Sequence, residues 1–176
     1  DYDIVLFCDT DPEKETLRNV TAEILSRINI RLLDLIPLPA SEASGLAATQ
    51  FNYDMKYGGR RLWGEDLLQK APAFTADQIP LASARELLLN RMICLLESYG
   101  RTPAAGCKES DFGFFCAHQC AKVLLACSEA ILIAAGRYHH SYFERDKRLR
   151  AEFPRLGSLA ALHEAARAAH GRVEGS

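Results

Sequence analysis

Two carboxylates stand on alternate residues of an apolar run at the start of the chain, Asp1-Tyr2-Asp3-Ile4-Val5-Leu6-Phe7. This pattern favours a β-strand, in which residues two positions apart project from the same face. A third acid, Asp34, lies in a second strand-like run, Leu33-Asp34-Leu35-Ile36. If the two strands pair, the three acids come together, so the sequence predicts a metal site on a small sheet.

Clustered carboxylates suit the chemistry of hard divalent cations. Mg²⁺ prefers oxygen ligands and usually binds through one or two carboxylates together with substrate phosphates, and two-metal sites hold the attacking and leaving oxygens of a displacement at phosphorus. We therefore expect Asp1, Asp3 and Asp34 to bind metal. Asp34 is also the candidate catalytic residue, which would help to remove a proton from an attacking hydroxyl. The alternative is that each acid is an ordinary exposed side chain.

The elements Asp1-Tyr2-Asp3-Ile4 and Leu33-Asp34-Leu35 resemble the nucleotidyltransferase superfamily that includes DNA polymerase beta, particularly its small bacterial and archaeal members. The segment from Lys56 to Leu68 looks like the strand and turn that follow in this family. The resemblance implies an α+β fold with a small mixed nucleotidyltransferase-type sheet and a covering helix, followed by an antiparallel helical bundle. We expect the division to fall between residues 79 and 80.

The resemblance also implies an activity, the transfer of a nucleoside monophosphate from a nucleoside triphosphate to a hydroxyl of a small molecule or protein, with two Mg²⁺ ions. In the family, a Gly-Ser element precedes the residue that corresponds to Asp1. We therefore expect the first domain to be truncated at its N-terminus. Whether the chain alone is active stays open. Lys122 and Arg91 are candidate substrate-binding cations from the helical half. Each could equally be an amphipathic residue whose charged head reaches water.

Two other functions stay open. One is a non-catalytic nucleotide-binding or regulatory partner. The other is a HEPN-like ribonuclease or toxin-antitoxin component, because His140-Ser141-Tyr142 matches the end of the HEPN motif. Arg137 lies too close to His140 for that motif, so we expect Arg137, the histidines and Arg145 to line an interdomain surface or to cap a helix. Zinc binding by Cys116, His118 and Cys120 is not expected, because His118 would point away from both sulfurs in a helix.

Composition and apolar segments bear on partners and location. The net charge of −2 leaves no broad basic surface for nucleic acid. The six cysteines form no CxxC pair, which is typical of reduced thiols in the cytoplasm. The longest apolar stretch, residues 121–135, is interrupted by charged residues and is shorter than the roughly 20 residues that cross a bilayer. We therefore expect a cytoplasmic protein without a membrane partner, and a homodimer through the helical bundle is compatible with this layout.

Local patterns predict the individual elements. Strands are expected at 2–8 and 30–38, with a helix between them that Asp11 caps. One or two further strands are expected within 50–63, where Trp63 would anchor the edge of the sheet in the core. Helices are expected at 83–100, beginning with a Ser83–Glu86 capping box, and at 110–136, 142–151 and 158–170.

Overall fold

The computed structural model describes residues 2–28, 33–100 and 109–174, and the predicted metal ligand Asp1 lies outside them. The structure is of the mixed α+β class. In chain order the elements are β1 (Tyr2–Cys8), α1 (Lys14–Arg27), β2 (Leu33–Pro39), α2 (Gln50–Gly58), α3 (Leu81–Gly100), α4 (Glu109–Ala134), α5 (Tyr142–Glu152) and α6 (Gly157–Glu174). Short 3-10 helices lie at Ala40–Gly45, Leu67–Gln69, Ala76–Gln78 and Pro154–Leu156.

The chain forms two compact units that are interleaved in sequence. The first unit comprises Asp1–Ala47 and Arg60–Ala73, and the second comprises Ala48–Gly59 and Phe74–Ser176. The domain division between residues 79 and 80 stays a prediction. Residues 48–59 nevertheless belong with the helices, because α2 buries its side chains in the core of the second unit.

The first unit is a β-α-β arrangement with a two-stranded parallel sheet. The strands pair in register from Tyr2 opposite Leu33 to Cys8 opposite Pro39, and α1 makes the crossover between them. The predicted span of β1 is confirmed. The predicted cap of α1 is wrong, because Glu13 occupies the N-cap position in place of Asp11, and its side chain makes no capping hydrogen bond.

The prediction of strands within residues 50–63 is wrong, because residues 50–58 form α2. The Thr49 hydroxyl accepts a hydrogen bond from the Asn52 N–H, which satisfies one of the free donors at the start of the helix. Tyr53 and Tyr57, four residues apart, pack against each other with ring centroids 4.8 Å apart and ring planes inclined by 54°. The Tyr57 hydroxyl donates to the Phe74 carbonyl at 2.8 Å and accepts from the Phe74 N–H at 3.2 Å. These tertiary contacts outweigh the strand preference of the aromatic residues.

Trp63 was predicted to be a core anchor, and this prediction is also wrong. Its side chain is 93% exposed in the segment that follows α2.

The core of the second unit lies around the C-terminal half of α4. Its cluster of buried residues consists of Tyr53, Phe74, Ile79, Ala84, Leu132, Ile133, Tyr138 and Leu149. A smaller cluster joins Ala121 and Leu125 of α4 to Ala166 of α6. Helix α4 therefore contacts α3, α5 and α6, and it organises the unit.

The observed ends of α4 and α5 lie close to the predicted ones. Helix α5 has nearly its predicted span, and Gly136 follows the end of α4 with φ of +66°, a conformation that glycine adopts readily. A side chain at Gly136 would also place its Cβ 3.1 Å from the Asp77 Cβ. The predicted capping box of α3 is wrong, because the helix begins at Leu81 and Ser83 is buried in its first turn.

Within the described residues, one stretch of α4, Phe115–Ala134, is long and apolar enough to cross a membrane, with a mean hydropathy of 1.4. More than half of this stretch is buried in the structure. It also carries the buried Glu129, which pairs with Arg145. These features are those of a core helix.

Candidate functional site

Two of the three predicted acids lie side by side in the first unit. Asp3 of β1 and Asp34 of β2 are direct partners in the parallel register. Because in-register residues of neighbouring strands project from the same face, both carboxyl groups stand on one side of the sheet, on strands about 4.8 Å apart. Both side chains are exposed. The structure therefore brings Asp3 and Asp34 together as the sequence predicts.

The surroundings of the two acids leave their oxygens available. Among residues 2–28, 33–100 and 109–174, neither carboxylate has a hydrogen-bond or ion-pair partner. Like charges directly opposite each other on a sheet are unfavourable, and a cation shared by the two would remove that cost. The donor set, two carboxylates beside open solvent, fits Mg²⁺, which keeps several waters and takes few protein ligands. The part of the chain that the structure describes holds no group of three His, Cys, Asp or Glu residues placed to bind one metal.

The candidate substrate-binding residues lie in the second unit. Arg91 is on α3 and Lys122 is on α4, and both are half-buried. This degree of burial suits the amphipathic alternative, in which the stem packs and the charged end reaches water. Their role toward the acids stays a prediction.

A buried charge network that the sequence did not reveal occupies the second unit. Arg145 of α5 is almost completely buried. Its guanidinium donates to both Asp54 oxygens at 3.1 Å and also to Glu129. The same group donates to the backbone carbonyls of His139 and His140. A single side chain thus connects α2, α4, α5 and the turn before α5.

Two aromatic rings pack against the guanidinium. Its Cζ atom lies 4.4 Å from the ring centroid of Tyr138 and 4.4 Å from that of Tyr142. A planar delocalised cation suits such stacking better than an ammonium does. Burial by itself lowers the pKa of Arg145, but Glu129, Tyr138 and Asp54 together raise it above its usual range. Arg145 is therefore a permanent cation.

Of the two carboxylates in this network, Asp54 is the one that reaches solvent. Its Oδ2 accepts from the Tyr138 hydroxyl at 2.7 Å and from Gln50 Nε2 at 2.6 Å. Burial raises the pKa of Asp54 to about 6, although Arg145 and the hydrogen bond from Tyr138 act in the opposite direction. Burial likewise raises the pKa of Tyr142 to about 12. The network is saturated with its own partners, which indicates a structural role.

The expectation that Arg145 lines an interdomain surface or caps a helix is wrong. Its guanidinium is buried inside the second unit, where it pairs with Asp54 and Glu129. Arg137 is exposed, and its Nε lies 2.9 Å from Glu152 Oε2. The rings of His139 and His140 stack with centroids 4.2 Å apart, and burial lowers the pKa of both histidines. A HEPN-like ribonuclease activity stays a prediction, and the arrangement of these residues adds no support for it.

The cysteines of the described segments carry free thiols. They are Cys8, Cys94, Cys116, Cys120 and Cys127, and each is partly buried. His118, between Cys116 and Cys120, is buried on α4. These residues behave as packing residues of helices and a strand.

Comparisons with protein-family models, with curated proteins and with solved structures found no match to this chain.

Proposed function

We propose that this chain catalyses metal-dependent transfer of a nucleoside monophosphate from a nucleoside triphosphate to a hydroxyl group. The observation that carries the proposal is the in-register pair Asp3–Asp34 on one exposed face of a parallel β-α-β unit. The pair is separated by the whole of α1 in sequence, so only strand pairing brings the two carboxylates together. Its exposed oxygens are the ligand type that Mg²⁺ takes beside the oxygens of a bound triphosphate.

The two acids have different tasks in this proposal. Asp3 and Asp34 both hold the cation, which neutralises phosphate charge and orients the transferred group when it is bound. Asp34 in addition accepts the proton of the attacking hydroxyl, since a base must lie within hydrogen-bond reach of that proton. Catalysis in such reactions is mostly positioning and electrostatic stabilisation. Two fixed carboxylates on neighbouring strands suit that requirement, because the sheet holds their backbones rigidly.

The remaining parts of the proposal follow the family resemblance. The two-stranded sheet with α1 is the core of a nucleotidyltransferase-type fold, and the helices of the second unit form an antiparallel bundle. Arg91 and Lys122 stay the candidate substrate-binding cations that the resemblance implies, and the acceptor is a small molecule or a protein in the cytoplasm. Asp1 is the third ligand of a two-metal site.

The proposal is tested by pyrophosphate release from each nucleoside triphosphate in the presence of Mg²⁺, with Asp3→Asn and Asp34→Asn as variants. Each variant should lower the rate by roughly a hundredfold or more, the effect typical of removing one group that stabilises a transition state. Asp11→Asn is the matched control, because Asp11 is an exposed acid of the same unit that lies outside the strands. Its rate should equal that of the wild type.

Binding is measured separately from turnover. Mn²⁺ added with a nucleoside triphosphate should broaden the amide resonances of β1 and β2 residues near Asp3 and Asp34, and the two Asn variants should abolish the broadening. Binding that both variants leave unchanged would sink the proposal. Binding that is lost in the variants, with no pyrophosphate released by any form, would favour the non-catalytic nucleotide-binding partner.

A further inference from the structure

The segment from Arg60 to Gly64, which precedes the short helix at Leu67–Gln69, carries two large apolar side chains on the surface of the first unit. Leu62 is 72% exposed and Trp63 is 93% exposed. Gly64 has φ of +77°, and a Cβ added there would meet no atom within 4 Å. We call residues 60–64 the tryptophan loop. Within the described part of the chain, the apolar side chains of this loop are left uncovered.

Two cations directly precede the apolar pair. Arg60 and Arg61 are both exposed. Across the described ranges 2–28, 33–100 and 109–174, neither side chain has a hydrogen-bond or ion-pair partner. Both guanidinium groups are therefore available to an anionic partner next to the apolar side chains.

The acids that follow the loop do not cancel this charge. Glu65 is paired with Lys70, whose Nζ lies 2.9 Å from Glu65 Oε1. Asp66 is the one further acid before residue 71, and it is half-buried, with its Oδ2 accepting from Gln69 Nε2 at 3.2 Å. The two exposed arginines thus remain in excess around the loop.

We propose that the tryptophan loop binds the surface of a membrane that contains anionic phospholipids. Tryptophan favours the level of the lipid headgroups, because its ring is apolar and its indole N–H is polar. An adjacent leucine can enter the boundary of the acyl chains, and arginine binds phosphate through a planar fork of N–H donors. The loop presents all three kinds of side chain in consecutive residues.

The size of the apolar patch favours a bilayer over a protein partner. An aromatic side chain buries about 150–250 Å², so Leu62 and Trp63 together cover far less than the roughly 800 Å² per partner of a stable protein interface. A bilayer needs no shape complementarity, because lipids rearrange around an inserted side chain. The expectation of no membrane partner rests on the length of a crossing segment, whereas binding at the surface requires none.

A single-stranded nucleic acid is the competing class of partner. It would contact the arginines through its phosphates and would stack a base on Trp63. Leu62 decides between the two classes, because an aliphatic side chain has no ring on which a base can stack, whereas it gains free energy by entering lipid. The pair Leu62–Trp63 therefore favours the membrane.

Trp63 is also the reporter for the first test, since the chain has a single tryptophan. The full chain is mixed with vesicles of phosphatidylcholine alone or of phosphatidylcholine with phosphatidylserine. The mixed vesicles should shift the tryptophan emission to shorter wavelength, and brominated acyl chains should quench it. Leu62→Glu should weaken binding by roughly tenfold or more, because it places a charge at the acyl boundary. Leu96→Glu is the matched control, because Leu96 is a similarly exposed leucine (67%) on α3, and it should bind as the wild type does.

The second test asks whether the arginines act at the loop or only through net charge. The double variant Arg60→Glu with Arg61→Glu should weaken binding to the mixed vesicles by roughly tenfold or more. The control is Lys14→Glu with Arg18→Glu, which makes the same change of charge at two exposed residues of α1 in the same unit. The control should retain most of the binding, and circular dichroism checks that each variant is folded.

An emission spectrum that anionic vesicles do not shift would overturn the proposal, as would an equal loss of binding in the two charge-reversed pairs. A shift caused by a single-stranded oligonucleotide and not by vesicles would assign the loop to nucleic acid instead. These outcomes are separate from failure of the nucleotidyl-transfer proposal. Leu62→Glu leaves Asp3 and Asp34 unchanged, so pyrophosphate release in the absence of vesicles should equal that of the wild type.

Discussion

The two units use acidic side chains in opposite ways. In the first unit, Asp3 and Asp34 stand side by side on an exposed sheet face, and no described residue pairs with either of them. In the second unit, Asp54 and Glu129 share the buried guanidinium of Arg145. Acids without internal partners can bind a ligand from solution, whereas acids that already have a cation and hydrogen-bond donors hold the fold together.

This contrast teaches how a charged cluster can be assigned to function or to structure. A buried ion pair must satisfy every donor and acceptor, because an unpaired buried charge is very costly. The Arg145 network meets that condition through its carboxylates, backbone carbonyls and stacked rings. The Asp3–Asp34 pair instead keeps two like charges next to each other, which is an unfavourable arrangement for folding alone.

The largest effect that separates the two units is expected for Arg145→Ala. The substitution leaves Glu129 and Asp54 without their cation inside the second unit, so unfolding free energy should fall by about 3–5 kcal/mol, as for other broken buried pairs. Urea denaturation followed by circular dichroism measures the change. Arg150→Ala is the matched control, because Arg150 lies on the same helix and forms only exposed ion pairs. An equal loss in both variants would refute the distinction between buried and exposed charge.

Asp54→Asn should change the pH dependence of stability. Because the pKa of Asp54 is about 6 in the folded protein and near 3.9 when unfolded, the folded state binds the proton more tightly. The wild type should therefore lose stability relative to Asp54→Asn as the pH rises from 4 to 6.5, by about 3 kcal/mol at most. Denaturation at a series of pH values measures the difference. A difference that stays constant with pH would show that Arg145 keeps Asp54 ionised throughout.

Tyr138→Phe should have a smaller effect. The variant keeps the ring that stacks on Arg145 but loses the hydroxyl that bonds Asp54 and Gln50. Loss of a hydrogen bond to a charged group in a buried network should cost about 1.5–3 kcal/mol of unfolding free energy. Thermal unfolding at pH 7 measures it. A cost near zero would mean that water replaces the hydroxyl, and that the network is more open than the structure shows.

Asp34→Asn should have the smallest effect on folding. Since Asp34 is exposed and stands opposite Asp3, its neutralisation should change unfolding free energy by less than about 0.5 kcal/mol, in the stabilising direction. The same urea experiment measures it, and addition of Mg²⁺ should stabilise the wild type but not the variant. A strong destabilisation would place Asp34 in a structural role and would remove the contrast between the units.

Local sequence signals predicted much of the fold and one part of the site. The apolar run of β1 and the predicted span of α5 correspond closely to observed elements, and a glycine follows the end of α4. The pairing of Asp3 with Asp34 was also predictable, since a strand-helix-strand pattern favours a parallel pair with a short crossover. Residues 50–58 were misassigned because their aromatic residues suit a strand locally, whereas the Thr49 cap and the contacts with Phe74 and Tyr138 stabilise a helix.

The sequence by itself determined the class of the fold, the two strands and the acids on them, because these depend on periodicity and on residues near one another in the chain. Only the tertiary structure decided that Arg145 is buried between Asp54 and Glu129, and that Trp63 is exposed to solvent. Burial depends on which elements meet, and residues 54, 129 and 145 approach one another only after the helices have packed.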